Sequence, residues 1–179
     1  MSKKIALLSA GALCLLLIGG LWLGLERKND PPPSPRTDSV TTTNRAHEKA
    51  MLEEQLSRKP GHAPVLLRLA QLAAEDSQPA EARRLLELLL RTEPSHLEAR
   101  LELGRACYQL NDLACATTET ERILAVKPNY VDALYNLGAI SANAGRNDKA
   151  RQYWKRAVES APTSESGKKA AEGLRQLGG

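Results

Sequence analysis

Apolar positions between residues 63 and 164 recur at helical spacing, and the whole pattern returns every 34 residues. Fixed intervals of this size indicate stacked supersecondary units. Within each unit two amphipathic stretches are separated by a short polar turn, which predicts a pair of helices. Four sets of residues keep the interval: Leu69, Leu103 and Leu137; Ala70, Gly104 and Gly138; Ala82, Ala116 and Ala150; and Pro60, Pro94, Pro128 and Pro162.

The residue types at these positions predict how the helices pack. Small residues at 70, 104 and 138 and at 82, 116 and 150 allow two antiparallel helices to approach closely. The leucines of the repeating set, together with Leu86 and Trp154, are expected to fill the space between successive pairs. Each proline lies where the second helix must end, because proline inside a helix costs about 3 kcal/mol. The sequence therefore predicts an all-α solenoid.

The chain resembles the tetratricopeptide repeat family, whose 34-residue pattern reads W-x2-L-G-x2-Y…A-x3-F…P. The resemblance covers residues 63–164 and implies a right-handed superhelical solenoid of three repeats, at 63–96, 97–130 and 131–164. The second repeat departs most from the pattern, since Arg100 takes a large apolar position and Thr120 an aromatic one. We therefore expect looser packing there.

Both ends of the repeat array predict a single extra helix. Residues 46–62 keep apolar positions in phase with the later second helices, so we interpret them as a half-repeat without its first helix. Residues 165–179 place Ala170, Ala171, Leu174 and Leu177 on one stripe with charges opposite. This composition is typical of a helix that caps the end of a solenoid.

The first 45 residues predict an anchor and a spacer. Residues 5–25 carry no charge, and about 20 apolar residues cross a bilayer. A cleaved signal peptide would have a shorter apolar run with a small-residue cleavage site, and a lipoprotein is disfavoured because the bulky Leu13 precedes Cys14. We interpret 1–4 as a cytoplasmic start, 5–25 as a transmembrane helix and the Pro/Ser/Thr-rich 26–45 as a disordered linker. This order predicts a single-pass protein of the bacterial inner membrane with a periplasmic C-terminal domain.

Charge and motifs exclude several classes of function. The formal net charge is +4, and basic and acidic residues are interleaved after the apolar segment, whereas nucleic-acid binding would favour a basic stripe. The sequence has no nucleophile motif and no Gly-rich phosphate loop, so we expect neither an enzyme nor a cofactor. His62 and His96 occupy equivalent loops of neighbouring units and His47 lies elsewhere, which predicts no metal site.

Cys107 and Cys115 are predicted to lie opposite each other across the turn of the second repeat. In a periplasmic domain they could form a disulfide. In the alternative interpretation, Cys107 is a small core residue and Cys115 is partly exposed. The distance between their Cα atoms decides between the two.

The resemblance implies that the first helices line a concave groove that binds a peptide or helix of another protein. Among the residues there, Arg105, Tyr108 and Tyr135 are expected to form the main pocket, because Tyr and Arg often anchor interfaces. By helical phase the groove residues are Leu67, Gln71, Glu75, Leu101, Arg105, Tyr108, Gln109, Tyr135, Asn136, Ala139, Ala142 and Asn143.

The combined hypothesis is a membrane-tethered scaffold or assembly factor of an envelope complex. Its architecture is similar to that of subunits of cytochrome c maturation systems. The alternative is a homo-oligomeric solenoid that is a structural subunit of an envelope, pilus or secretion assembly.

Overall fold

The computed structural model describes residues 37–178, which fold into helices without a strand among them. The predicted N-terminus 1–4, the predicted anchor 5–25 and residues 26–36 lie outside the described residues. Contacts divide the chain into Met1–Val40 and Thr41–Gly179, and the packing below is that of the second unit. The helices are α1 (Thr37–Arg58), α2 (Ala63–Glu75), α3 (Pro79–Thr92), α4 (Leu97–Gln109), α5 (Leu113–Val126), α6 (Val131–Asn143), α7 (Asn147–Ser160) and α8 (Glu165–Gln176).

None of the helices among residues 37–178 combines the length and apolar character that crossing a membrane requires.

The helix boundaries repeat in register along the whole array. The first helices α2, α4 and α6 begin at 63, 97 and 131, and α8 continues this series at 165. The second helices α3, α5 and α7 end at 92, 126 and 160, and α1 ends one interval earlier, at 58. By register, therefore, α1 corresponds to a second helix and α8 to a first helix, and neither has its pair partner among the described residues. The right-handed superhelical path stays a prediction.

Helix α1 begins earlier than the sequence pattern predicts. Residues 37–45, which the composition assigns to the disordered linker, belong to this helix. From Arg45 onward the helix makes ion pairs with α2 and its C-terminal end: Arg45 lies 3.0 Å from Asp76, and both oxygens of Glu48 accept from Arg68 at 2.6 and 2.9 Å.

Each helix pair turns through one residue in the left-handed region. These residues are Ser77, Asn111 and Gly145, with φ of 56°, 59° and 70°. Side chains cap several of the helices that follow a turn or loop. Asp112 accepts from the backbone N–H of Cys115 at 3.0 Å, and His96 Nδ1 accepts from that of Ala99 at 3.2 Å.

The small residues at the repeating positions bring the helices of a pair into close contact. A Cβ atom added to Gly138 would lie 2.2 Å from Trp154 Nε1, and one added to Gly173 would lie 2.7 Å from the same ring. The indole is thus held between α6 and α8, and its N–H donates to the Tyr135 carbonyl at 3.1 Å. The residues predicted to pack between repeats are all buried: Leu69, Ala70, Ala82, Leu86, Leu103, Gly104, Ala116, Leu137, Gly138, Ala150 and Trp154.

The second pair fills its irregular positions with polar contacts. The guanidinium of Arg100 donates to Glu119 and to the Pro94 carbonyl, and Glu119 also accepts from Arg122 at 2.7 Å. Thr120 is fully buried and donates to the Ala116 carbonyl at 2.7 Å. A charged pair therefore occupies a place that Leu66 and Leu134 fill with apolar side chains in the other two pairs.

Candidate functional site

A cleft of about 300 Å³ lies between the first helices of the second and third pairs. From α4 it is lined by Arg105, Tyr108 and Gln109, which lie three or four residues apart and so share one face of the helix. The α6 side has the same spacing. The complete lining is Gly104, Arg105, Tyr108, Gln109, Tyr135, Asn136, Ala139 and Ile140. The predicted trio of Arg105, Tyr108 and Tyr135 thus lies at one cleft.

The cleft combines aromatic surface with polar groups. Tyr108 is 37% exposed, and Arg105 is held by Glu102 at 2.7 Å. The side-chain nitrogen Nδ2 of Asn136 is buried and has no hydrogen-bond partner among the described residues. A buried amide donor without an acceptor costs roughly 1–3 kcal/mol, and a rotation of the Asn136 side chain toward the cleft would offer this donor to an acceptor on a bound molecule.

The other predicted groove residues lie outside this cleft. On α2, Gln71 donates to Glu98 at 3.3 Å, and Glu75 faces Arg45 and Arg68 at 3.7 and 3.5 Å. Leu67 is half-buried on the same helix. Ala142 and Asn143 follow the cleft residues on the last turn of α6. The α2 part of the predicted groove is therefore engaged in contacts with α1 and α4.

The prediction that Leu101 is exposed in the groove is wrong. Leu101 is 4% exposed and packs in a small cluster with Ile123 and Ala133. The side chain of Leu101 fills a space between α4, α5 and α6 that Ile123 and Ala133 line. Helical phase placed Leu101 beside Arg105 but carries no information about such a local space.

Sequence reasoning did not identify a second cleft, of about 360 Å³, along α1. It is lined by Asn44, His47, Glu48, Met51, Leu52 and Gln55. Met51 occupies the position of Leu85 one repeat later and is 51% exposed, whereas Leu85 is 3% exposed. Among the described residues no first helix pairs with α1, and the phase of α1 in the sequence was the signal that could have indicated this cleft.

The structure joins Cys107 and Cys115 in a disulfide between α4 and α5, with Cα atoms 5.8 Å apart. Cys107 is fully buried and Cys115 is half-buried. Beside them, Asp112 accepts from the Cys115 N–H and from Arg83 at 3.0 Å, and these bonds hold the pKa of the Asp112 carboxyl below its ordinary value. The two sulfurs and this carboxylate lie within 4.8 Å of one another, but bonded sulfurs are not free to ligate a metal.

The fold and the cleft define a helical-repeat protein whose first helices α4 and α6 line a cleft. Tetratricopeptide repeat models match residues 73–129 and residues 131–164. The chain therefore carries tetratricopeptide repeats over these residues. Because the first match begins at 73, a complete repeat at 63–96 stays a prediction.

Solved structures with the same fold include proteins of known tetratricopeptide type. YrrB, described as a tetratricopeptide protein with an unusual peptide-binding site, has a TM-score of 0.66 at 21% identity, covering 74% of this chain and 69% of its own. The first such domain of Spaghetti (RPAP3), bound to the HSP90 peptide SRMEEVD, has a TM-score of 0.60 at 19% identity, covering 65% and 90%. MamA from Desulfovibrio magneticus RS-1 has a TM-score of 0.64 at 17% identity, covering 78% and 87%.

At these identities the likeness establishes the fold alone. No curated protein sequence matches the chain at a significant level.

Proposed function

We propose that this protein is an interaction scaffold that holds a peptide segment of another protein in the cleft between α4 and α6. The observation that carries the proposal is the cleft itself, in which Tyr108 and Tyr135 flank a buried Asn136 amide without a partner. Two structural neighbours, YrrB and Spaghetti, are described with a peptide-binding site or a bound peptide. Both support a peptide as the ligand.

The chemistry of the lining indicates how the peptide would be held. A volume of about 300 Å³ lies at the lower end of small ligand sites, so it would take one or two side chains rather than a whole helix. An apolar or aromatic side chain between the two tyrosine rings would bury their faces. A backbone carbonyl of the same peptide would accept from Asn136. Because Arg105 is held by Glu102, it would act at the rim as a positioning group.

We further propose that the scaffold is tethered to a bacterial inner membrane with the repeats in the periplasm. The uncharged run at 5–25 and the polar stretch that follows it support this arrangement. The disulfide is compatible with it, because disulfides persist in oxidising compartments. Under this proposal the partner belongs to an envelope complex, for example one of the cytochrome c maturation type. Reporters fused after Gly179 that are active on only one side of the membrane would test the topology, and activity of the cytoplasmic reporter alone would refute it.

A displayed peptide library tests the cleft directly. Selection on the full chain, with counter-selection on the Tyr108→Ala/Tyr135→Ala variant, should enrich peptides that share an apolar or aromatic residue. The affinity of an enriched peptide should fall about tenfold or more in the Asn136→Ala variant, since the peptide carbonyl would lose its donor. A matched control, Tyr153→Ala on α7, lies outside the cleft and should leave binding unchanged. Enrichment that is equal on the wild type and the double variant would refute the cleft as the site.

A further inference from the structure

We propose that the Cys107–Cys115 disulfide is a latch through which the redox state of the chain controls the α4–α6 cleft. The inference rests on the proposed function, because it concerns regulation of the same site. The proposed role goes beyond that of a structural cross-link, because the disulfide fixes to α5 the part of α4 that carries three of the cleft side chains.

Two neighbouring stripes of α4 connect the bridge to the cleft. Gly104 and Cys107 lie three residues apart and face α5, where a Cβ atom on Gly104 would lie 2.9 Å from Thr120 Oγ1. Arg105, Tyr108 and Gln109 form the adjacent stripe and line the cleft. A rotation or displacement of the last turns of α4 relative to α5 would therefore move the cleft side chains.

The second pair depends on the bridge more than its neighbours do. At the positions of the two cysteines, the first pair has Ala73 and Glu81, and the third has Ser141 and Lys149. These pairs are instead held by apolar side chains such as Leu86 and Trp154. In the second pair, Thr120 and the Arg100–Glu119 ion pair replace such contacts. The covalent bond thus lies in the pair whose second helix buries Glu119 and Thr120, whereas α3 and α7 bury only apolar side chains.

The switch requires a dithiol reductant, supplied as a small molecule or by a thiol–disulfide exchange protein. A reductant thiolate attacks Sγ of Cys115, which is half-buried, and the thiolate of the fully buried Cys107 leaves and takes up a proton. The second reductant thiol then attacks the mixed disulfide and releases Cys115 as a thiol. The reductant ends as a disulfide, and the protein gains two electrons and two protons.

Reduction is expected to loosen the end of α4 while leaving the third pair unchanged. The turn between α4 and α5 would keep its caps, because Asp112 still accepts from the Cys115 N–H. The last turns of α4 would open more often, and the cleft would spend less time in its binding geometry, which lowers apparent affinity.

Hydrogen exchange tests the latch without any ligand. Amides of residues 105–110 in the full chain should exchange about tenfold or more faster after reduction, whereas residues 139–144, at the same place in the cysteine-free third pair, should not change. The Cys107→Ser/Cys115→Ser variant should exchange like the reduced protein in either condition, and circular dichroism of reduced wild type would verify that it stays helical. Equal exchange at 105–110 in both redox states would overturn the latch.

A peptide selected on the oxidised chain then tests the coupling. Its affinity should be about tenfold weaker for the reduced wild type, and reductant should have no effect on its affinity for the double serine variant. Faster exchange at 105–110 with unchanged peptide affinity would overturn the control of the cleft. Equal enrichment of peptides on the wild type and on the Tyr108→Ala/Tyr135→Ala variant would instead refute the proposed site. The exchange measurement does not depend on that site, so the two failures are distinguishable.

Discussion

Substituting Gly138 by alanine should destabilise the protein, although alanine is the better helix former. In an open helix the change would stabilise by about 1 kcal/mol. Here the new Cβ would lie 2.2 Å from Trp154 Nε1 and 2.3 Å from Cδ1, distances at which atoms must move. The indole cannot retreat freely, because Gly173 of α8 lies against its other side.

The expected magnitude follows from three contributions. Overpacking of a filled core costs about 1–3 kcal/mol, and the confinement of Trp154 indicates the upper part of that range. Moving the indole also loses its hydrogen bond to the Tyr135 carbonyl, worth about 1 kcal/mol. With the propensity gain subtracted, Gly138→Ala should lower the free energy of unfolding by about 2–3 kcal/mol.

A double-mutant cycle with Trp154→Leu isolates this contact. In the leucine background the space beside Gly138 is open, so Gly138→Ala should stabilise by about 1 kcal/mol. The coupling between the two positions is then about 3–4 kcal/mol, measured by urea unfolding followed by far-UV circular dichroism. A neutral or stabilising Gly138→Ala in the wild-type background would refute the close approach of α6 and α7.

Three further predictions concern bonds between helices. Reducing the Cys107–Cys115 bridge, which spans a separation of 8 residues, should lower the free energy of unfolding by about 2–3 kcal/mol in urea titrations; equal midpoints would contradict this. Glu119→Ala should cost about 3 kcal/mol because it leaves the mostly buried Arg100 unpaired, while Arg100→Leu/Glu119→Leu should restore at least wild-type stability; a double variant as unstable as the single one would count against the buried pair. The hydrogen bond from Arg68, aided by its charge, holds the pKa of Glu48 below its ordinary value. A lowered carboxyl pKa contributes stability above the unfolded value that is lost as pH falls through the folded one, so the contact of α1 with α2 should weaken below about pH 4. In the wild type the NMR chemical shifts of the Leu52 methyl groups should change over this pH range. In Glu48→Gln this pH-dependent change should be absent.

Much of the architecture could be predicted from the sequence because it depends on periodic, local information. The interval between Leu69, Leu103 and Leu137 reappears in the helix starts at 63, 97 and 131. The small residues and prolines at fixed places determine where two helices can approach and where each second helix ends. The cleft residues Arg105, Tyr108 and Tyr135 could be grouped for the same reason, since helical phase places them on facing stripes.

The features that the sequence did not reveal depend on contacts between distant residues. The ion pair of Arg45 in α1 with Asp76 joins residues 31 positions apart, which composition alone does not indicate. The burial of Leu101 depends on contacts that include Ala133, 32 positions later in the chain. The sequence pattern shows Arg100 only as a charged residue in an apolar position. Its ion pair with Glu119 becomes evident only when α4 and α5 are packed together.

We predict that Glu172 hinders the packing of a further helix against α8, which can be tested by replacing it. Glu172 occupies the place of Ala70, Gly104 and Gly138, where a second helix would have to approach closely, and it pairs with Arg175 on the outer face of α8. At the opposite end, α1 leaves Met51 exposed beside an open cleft. Substituting Glu172→Ala, Arg175→Ala and Lys168→Leu restores the residue types of the inner repeats.

In that variant we expect α1 of a second copy to pack against α8 in the place of a second helix. Sedimentation velocity should therefore reveal concentration-dependent, head-to-tail species that wild type does not form under the same conditions, because such contacts do not close on themselves. Lys155→Leu/Glu159→Ala, which alters charge on the exposed face of α7, controls for the general effect of added apolar surface. If the α8 variant sediments like wild type, Glu172 is not what stops the stacking. If the control associates equally, the effect is a nonspecific one of surface hydrophobicity.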